Sequence, residues 1–273
     1  MPDRIESLCR ILGTQFGRLY SIAPLGSGSS GRSYLLLTET GRFVAKRFEP
    51  DSMTLLGPAG QAALLGPLAA AGIAPRAVLS DEAVGLLVTD YVADARAVTA
   101  ERLREPEHIR VLAFLLRRLH GVAVDVPAYA PLDYARRYLA RFGGLAALSV
   151  EDRERHAELL ALGARPLAGA SCICHNDLTV DHLLFGPAPK LIDFDYAVTA
   201  TPVLDLASVV VMNGFGPAEI SCLLDAYHEG EPPFDPAEFA RVQRLQRLLA
   251  HFWALAAGAR APAIVDEYRI RDD

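Results

Sequence analysis

Little in this chain points to a protein held together by sulfur. Its 273 residues include four cysteines, Cys9, Cys172, Cys174 and Cys222, and no two of them form a CxxC pair. Cys172 and Cys174 are separated by one residue on what reads as a strand, so buried free thiols are the better reading and zinc or disulfide use the lesser one. An uninterrupted apolar run of membrane-spanning length is also missing; even RLLAHFWALAAGA is broken too early. The opening MPDRIESLCR lacks the basic-then-apolar order of a signal segment, so a soluble, cytoplasmic protein without a membrane partner is expected. Basic charge is not in excess: the net charge is −6, and Lys and Arg are interspersed with acids, as in RLREPEHIR, which argues against a nucleic-acid partner. No Gly/Ser linker, biased tract or internal repeat divides the chain, and nothing in it specifies an oligomeric state.

What is present is globular composition, 51% hydrophobic and 22% charged, over a length that buries a large core as one domain or two lobes. LYSIAPL, RSYLLLT and RFVAKRF read as an antiparallel meander, followed by a helix over about 59–71 and a hairpin in AVLSDEAVGLLVTDYV. Beyond it the period becomes helical. Ile109, Leu112, Leu116 and Leu119 recur at spacings of three and four, as do Phe239, Val242, Leu245, Leu249 and Phe252, with two short strands, HLLF and KLIDF, between these helices.

Gly26, Gly28 and Gly31 in GSGSSG fit GxGxxG, which alone marks either a flexible turn or a dinucleotide loop. A dinucleotide loop must open a helix whose N-terminus receives the pyrophosphate. Here RSYLLLT follows, which favours a strand, and strand–loop–strand is the arrangement of a flap that covers nucleotide phosphates with backbone amides. Lys46, among apolar neighbours in VAKRF, is placed to reach the α and β phosphates; the competing reading is a strand-end lysine whose ammonium reaches solvent.

Asp177 in CHNDLTVDH and Asp193 in LIDFDYA lie sixteen positions apart, each beside a short apolar strand. Phosphoryl transfer needs one carboxylate to orient or deprotonate the attacking hydroxyl, and oxygen ligands that hold magnesium against the phosphates. Asp177 suits the first role and Asp193 the second. In this order GSGSSG, VAKRF, CHNDLTVDH and LIDFDYA resemble the motifs of the aminoglycoside phosphotransferase and choline kinase group, over most of the chain. CHNDL, IDFDYA and TPVLDLA together are most similar to its bacterial choline and ethanolamine kinases. The resemblance implies an α+β, bilobal protein-kinase-like fold, with a small antiparallel-sheet N-terminal lobe over 1–92 that binds nucleotide. A larger, mainly helical C-terminal lobe over 93–273 would carry catalysis and substrate binding. It further implies ATP with Mg2+, or Mn2+, as cofactors. Asp90, Tyr91 and Val92 become the hinge that grips adenine through main-chain groups, and Asp205 the structural acid that hydrogen-bonds the catalytic-loop backbone. His175 either packs and fixes Asp177 or carries a proton, and the resemblance favours the first; Asn176 shapes the loop.

Two positions depart from the family pattern. Where HxDxxxxN has its asparagine, a second magnesium ligand, this chain has His182. Imidazole suits transition metals better than magnesium, so His182 either forfeits a metal contact or changes metal preference, with Asp181 as a substitute if the loop shifts. Where the small-lobe helix supplies a glutamate to the strand lysine stands Gln61, an amide that bonds an ammonium without neutralising it. A nucleotide-binding protein with little transfer activity is therefore one alternative. A metal-dependent hydrolase chelating through His175, Asp177, Asp181 and His182 is another, although the spacing matches no zinc signature and leaves GSGSSG and Lys46 unexplained.

The expected activity is transfer of the ATP γ-phosphate to a small hydroxylated compound, because too few residues separate LIDFDYA from TPVLDLA for the activation segment of a protein kinase. Choline, ethanolamine or a similar amino alcohol follows from the resemblance. Asp195 is either a metal or substrate contact or an exposed loop acid. Tyr196, Trp253, Phe252 and Tyr227 are aromatic candidates for a cationic head, with core packing the competing reading for Trp253.

Overall fold

The computed structural model describes residues 11–27, 31–50, 52–228 and 235–258. The β-branched and aromatic runs on either side of GSGSSG form β1 (Leu19–Ser27) and β2 (Gly31–Thr38), and the turn at Glu39 and Thr40 returns the chain as β3 (Gly41–Phe48). A second hairpin, β4 (Ala77–Asp81) and β5 (Leu86–Asp90), completes a five-stranded antiparallel sheet in the order β1-β2-β3-β5-β4. Strand alternation sorts the residues of β3 to opposite faces. Ala45 packs with Leu36, Leu86 and Val88 under Leu12 and Phe16 of the short helix α1 (residues 11–16), whereas Val44 and Lys46 face the cavity between sheet and helices. Helix α2 (Pro58–Ala70) packs against β4 and β5. It begins on Pro58, where a missing N–H costs nothing, and is followed by Gly72 at φ 70°.

Gly31 opens β2 opposite Phe48. A Cβ on Gly31 would be driven into the backbone carbonyl of Arg47, so the sheet itself requires the last glycine of GSGSSG. Gly31→Ala is expected to cost about 2 kcal/mol, the scale of overpacking, seen as a lower urea midpoint at unchanged slope. Gly26 pairs with Ser33 at the end of β1; Gly28 lies outside the described residues.

Past β5 the chain is mainly helical: α3 (Ala100–Leu103), α4 (Pro106–His120), α5 (Pro131–Phe142), α6 (Val150–Gly163), α7 (Pro202–Met212), α8 (Pro217–His228) and α9 (Pro236–Ala257). The spacings of three and four bury Ile109, Leu112, Leu116 and Leu119 on α4, and Phe239, Val242, Leu245, Leu249 and Phe252 on α9. Helices α5, α6 and α7 pack on α9, and α8 on α4. Two ribbons interrupt the helices: β6 (Cys172–Cys174) pairs with β9 (Val198–Ala200), and β7 (Leu183–Leu184) with β8 (Lys190–Leu191). One apolar cluster runs from Phe48, Leu64 and Leu87 through Leu116 to Phe194 and Leu206, so both halves share a core. Among the described residues no helix is long and apolar enough to cross a membrane. Cys172, Cys174 and Cys222 are free thiols, and Cys9 lies outside the described residues.

Candidate active site

Strand β6 ends at Cys174, and the next two residues are held by one acid. The fully buried Asp205 of α7 accepts the His175 amide on Oδ2 at 2.8 Å and the Asn176 amide on Oδ1 at 2.7 Å. Asn176 sits in the left-handed region at φ 63°, a conformation that costs roughly 1 kcal/mol outside glycine. The loop is fastened again where Asn176 Nδ2 donates to the Tyr196 carbonyl at 3.3 Å and Gln246 Nε2 donates to Asn176 Oδ1 at 3.2 Å. The buried His175 ring packs between His182 and Phe194 and donates Nε2–H to the Ile192 carbonyl at 2.9 Å. Burial, helped by His182, holds His175 below the usual imidazole range, so the ring is a neutral strut between the two loops. Its Nε2 is spent on the Ile192 carbonyl, and His175, Asp177, Asp181 and His182 do not converge as a chelate. Among the described residues, the His, Cys and acid side chains close enough to hold one ion are His120, Cys172 and Cys174.

Strand β8 delivers the second pair of acids. Asp193, at φ 66°, accepts Lys46 Nζ on Oδ1 at 2.6 Å, and Asp195 accepts the same ammonium on both oxygens at 2.8 and 2.7 Å. Asp195 is 2% exposed, which corrects the reading of an exposed loop acid. Gln61 also differs from expectation: its NH2 donates to Asp195 Oδ1 and to the Leu56 carbonyl, so it meets Lys46 through their shared acid rather than by accepting from the ammonium. The negative charge that a helix glutamate would bring to Lys46 comes instead from Asp195, across the cleft. Burial would lower the Lys46 pKa, but Asp193 and Asp195 outweigh it and hold the ammonium charged. Burial would raise Asp193, yet Lys46 and His182 keep it well below the carboxylate range. Asp195 is pushed up to about 6 by burial and by Asp193 beside it.

His182 lies between the two loops. Nδ1 donates to the Asp177 carbonyl at 2.6 Å, leaving Nε2 directed at Asp193 Oδ2, 3.6 Å away. Two electron-rich atoms face each other there, an arrangement that calls for a proton or a metal ion between them. Burial would lower the His182 pKa, but Asp177 and Asp193 raise it above the ordinary value. A raised histidine contributes stability that is complete below its unfolded value of about 6.5 and is lost as pH rises through the folded value. In metal-free protein the melting-temperature advantage of wild type over His182→Asn is therefore expected to be largest near pH 6 and to shrink toward pH 9. An advantage that grew with pH would contradict this assignment. The Asp177 pKa is raised by burial against the pull of His182 and His175, with Asp193 adding to the rise, which makes it a stronger base.

These groups line a cavity of about 940 Å³ between the sheet and the helices. Asp90, Tyr91 and Val92 form one wall. The Asp90 amide is taken by the Arg76 carbonyl at 2.9 Å and the Tyr91 amide by the Arg42 carbonyl at 3.3 Å. On the opposite wall stand Tyr196 and Trp253, whose indole N–H donates to the Tyr196 hydroxyl at 3.3 Å. Phe252 is packed in the core instead, and Tyr227 hydrogen-bonds His120 behind the catalytic loop, so neither reaches the cavity. Tyr134 and Tyr138, which the sequence reading missed, complete the aromatic wall, with stacked rings 6.4 Å apart. Their four-residue spacing in YARRY places both on one face of α5. Tyr138 and Tyr196 lie close enough to Asp177 for its charge to act on their hydroxyls.

Residues 21–240 match the APH phosphotransferase enzyme family, and the chain belongs to that family. Choline kinase LicA from Streptococcus pneumoniae is similar in structure, with TM-score 0.83 and 19% identity over 97% of this chain and 96% of that one. The same kinase in complex with AMP gives a TM-score of 0.81 at 19% identity over 96% and 94%. A choline/ethanolamine kinase family protein from Mesorhizobium loti gives 0.74 at 21% identity over 97% and 92%. An aminoglycoside-3'-phosphotransferase of type VIII gives 0.64 at 24% identity over 90% and 99%. The fold is protein-kinase-like. No curated protein matches by sequence.

Proposed function

We propose that this phosphotransferase moves the γ-phosphate of ATP to the hydroxyl of a small amino alcohol of the choline or ethanolamine type. The observation that carries the reading is one cavity lined by a lysine bound to two acids, by the Asp177 carboxylate and by four aromatic rings, of which Tyr138 and Tyr196 lie near that carboxylate. Lys46 and the hinge suit a nucleotide, in line with the AMP complex of the LicA kinase. Asp177 is the group that accepts the hydroxyl proton, and the aromatic wall of Tyr134, Tyr138, Tyr196 and Trp253 suits a cationic head through cation–π attraction. Burial keeps the Tyr134 and Tyr138 hydroxyls protonated, so they present neutral rings.

Asp193 and His182, whose facing oxygen and nitrogen lie 3.6 Å apart, are the residues that would hold a divalent ion, and this mixed pair fits magnesium or, better, manganese. Such an ion supplies charge neutralisation at the phosphates. Lys46 screens the same phosphates, and His175 with Asp205 holds Asp177 in register.

Phosphate transfer should be measured with ATP and choline, ethanolamine, an aminoglycoside and a macrolide, first with magnesium and then with manganese. Turnover on an amino alcohol is the expected result, with His182→Asn shifting the metal response toward magnesium. A second reading, nucleotide binding without transfer, is favoured by the engagement of Lys46 with two acids at once; it predicts a nucleotide-induced thermal shift and no product from any acceptor. Failure to bind ATP at all would remove both.

A further inference from the structure

A second cluster lies behind the catalytic loop, outside the cavity. On β6 the side chains two apart share a face, which places Cys172 Sγ 3.8 Å from Cys174 Sγ. A ring nitrogen of His120, the last residue of α4, lies within 4.8 Å of both sulfurs. The three potential ligands come from two elements, and His120 is held beside the sulfurs by Asp205 and Tyr227. Two thiolates on a tetrahedral zinc, with bonds of ~2.3 Å, stand about 3.8 Å apart. His120 is also pre-oriented. Asp205 Oδ2 lies 3.1 Å from Nε2, so with the carboxylate as acceptor that nitrogen carries the proton, and Nδ1, 2.6 Å from the Tyr227 hydroxyl, keeps its lone pair. A carboxylate on the far nitrogen of a metal-binding histidine is the usual outer support of such sites.

We propose that Cys172, Cys174 and Nδ1 of His120 form a site for one thiophilic divalent ion of the zinc class, with the fourth position open to water or to the Tyr227 hydroxyl. Binding replaces both thiol protons, which pass to solvent, by sulfur–metal bonds. Cys174 is buried and Cys172 half-buried, so the ion enters from the Cys172 side. The site is distinct from Asp193 and His182, which offer no sulfur. It meets the catalytic loop through Asp205, which binds His120 and the His175 amide with the same oxygen.

The test is titration of the reduced, metal-free full chain with Co2+ in the presence of excess Mg2+. One equivalent is expected to give a thiolate-to-metal charge-transfer band, C172S to weaken that binding about tenfold or more, and C222S to leave it unchanged. No such band, or one formed with undiminished affinity in C172S, overturns the site, since an ion at His182 and Asp193 produces none. X-ray absorption on zinc-loaded wild type decides the matter without a variant: two sulfur neighbours are expected, and a shell of nitrogen and oxygen alone refutes the proposal.

Discussion

Asp177→Asn is expected to lower turnover about a thousandfold, within the range that general-base groups contribute, while nucleotide affinity changes by less than about twofold, because Lys46 is hydrogen-bonded to Asp193 and Asp195, both unchanged in the variant. The substitution keeps shape and removes basicity. His182 Nδ1 donates to the main-chain carbonyl of residue 177 at 2.6 Å and lies 3.8 Å from its carboxylate, so the variant loses the weaker ion-pair contact and keeps the shorter tie. Burial raises the Asp177 pKa, and the gain in basicity is what asparagine forfeits. Single-turnover rates with the best acceptor, alongside nucleotide titration, separate the two quantities. A loss below tenfold would mean that another group takes the proton and that Asp177 only orients the hydroxyl.

Asp205→Ala is expected to be the most destabilising single change near the site, by about 4 kcal/mol, as each buried donor left without a partner costs about 1–3 kcal/mol. Asp205 is 0% exposed and serves three donors, the amides of His175 and Asn176 and the His120 ring. Asp205→Asn retains the volume and one acceptor oxygen and should lose about half as much, since its NH2 then faces one of those donors. Urea denaturation of the three proteins orders them wild type, Asn, Ala. If Ala fell within about 1 kcal/mol of wild type, ordered water would have to be satisfying the loop amides. The Asn variant should also separate the roles, with kcat falling more than nucleotide affinity, because the displaced element is the loop bearing Asp177.

Most of the fold was legible because its signals are local. The period-two runs around GSGSSG and the three-and-four spacing of α4 and α9 are properties of neighbouring residues, and the run after the glycines read as a strand, as β2 is. The site was legible where a motif carries its own geometry, as with Asp177 and Asp193 at the ends of short strands. Asp195 was not, because its burial depends on Lys46 and Gln61, 149 and 134 positions away. Gln61 looked like a weakened partner for a lysine, and only the fold shows which acid its amide serves. Tyr134 and Tyr138 escaped notice because a helix face lining a cavity has the same spacing as one lining a core. His120 gave no signal at all, since a histidine at a helix end is ordinary until two sulfurs are found beside it.

The attachment of Asp195 bears on how the cleft can open. Its side chain holds Lys46 and Gln61, and its main-chain carbonyl accepts the amides of Leu55 and Leu56 at 2.9 and 3.1 Å. All four partners precede α3, so this single residue is a rivet between the sheet half and the helical half. A phosphate that draws Lys46 away would loosen one of these four fastenings and leave three, beside the Leu191 amide on the Ile73 carbonyl and the Lys190 ammonium on the Gly72 carbonyl. Lys46 can thus change partners for a nucleotide without unseating the sheet half from the helical half.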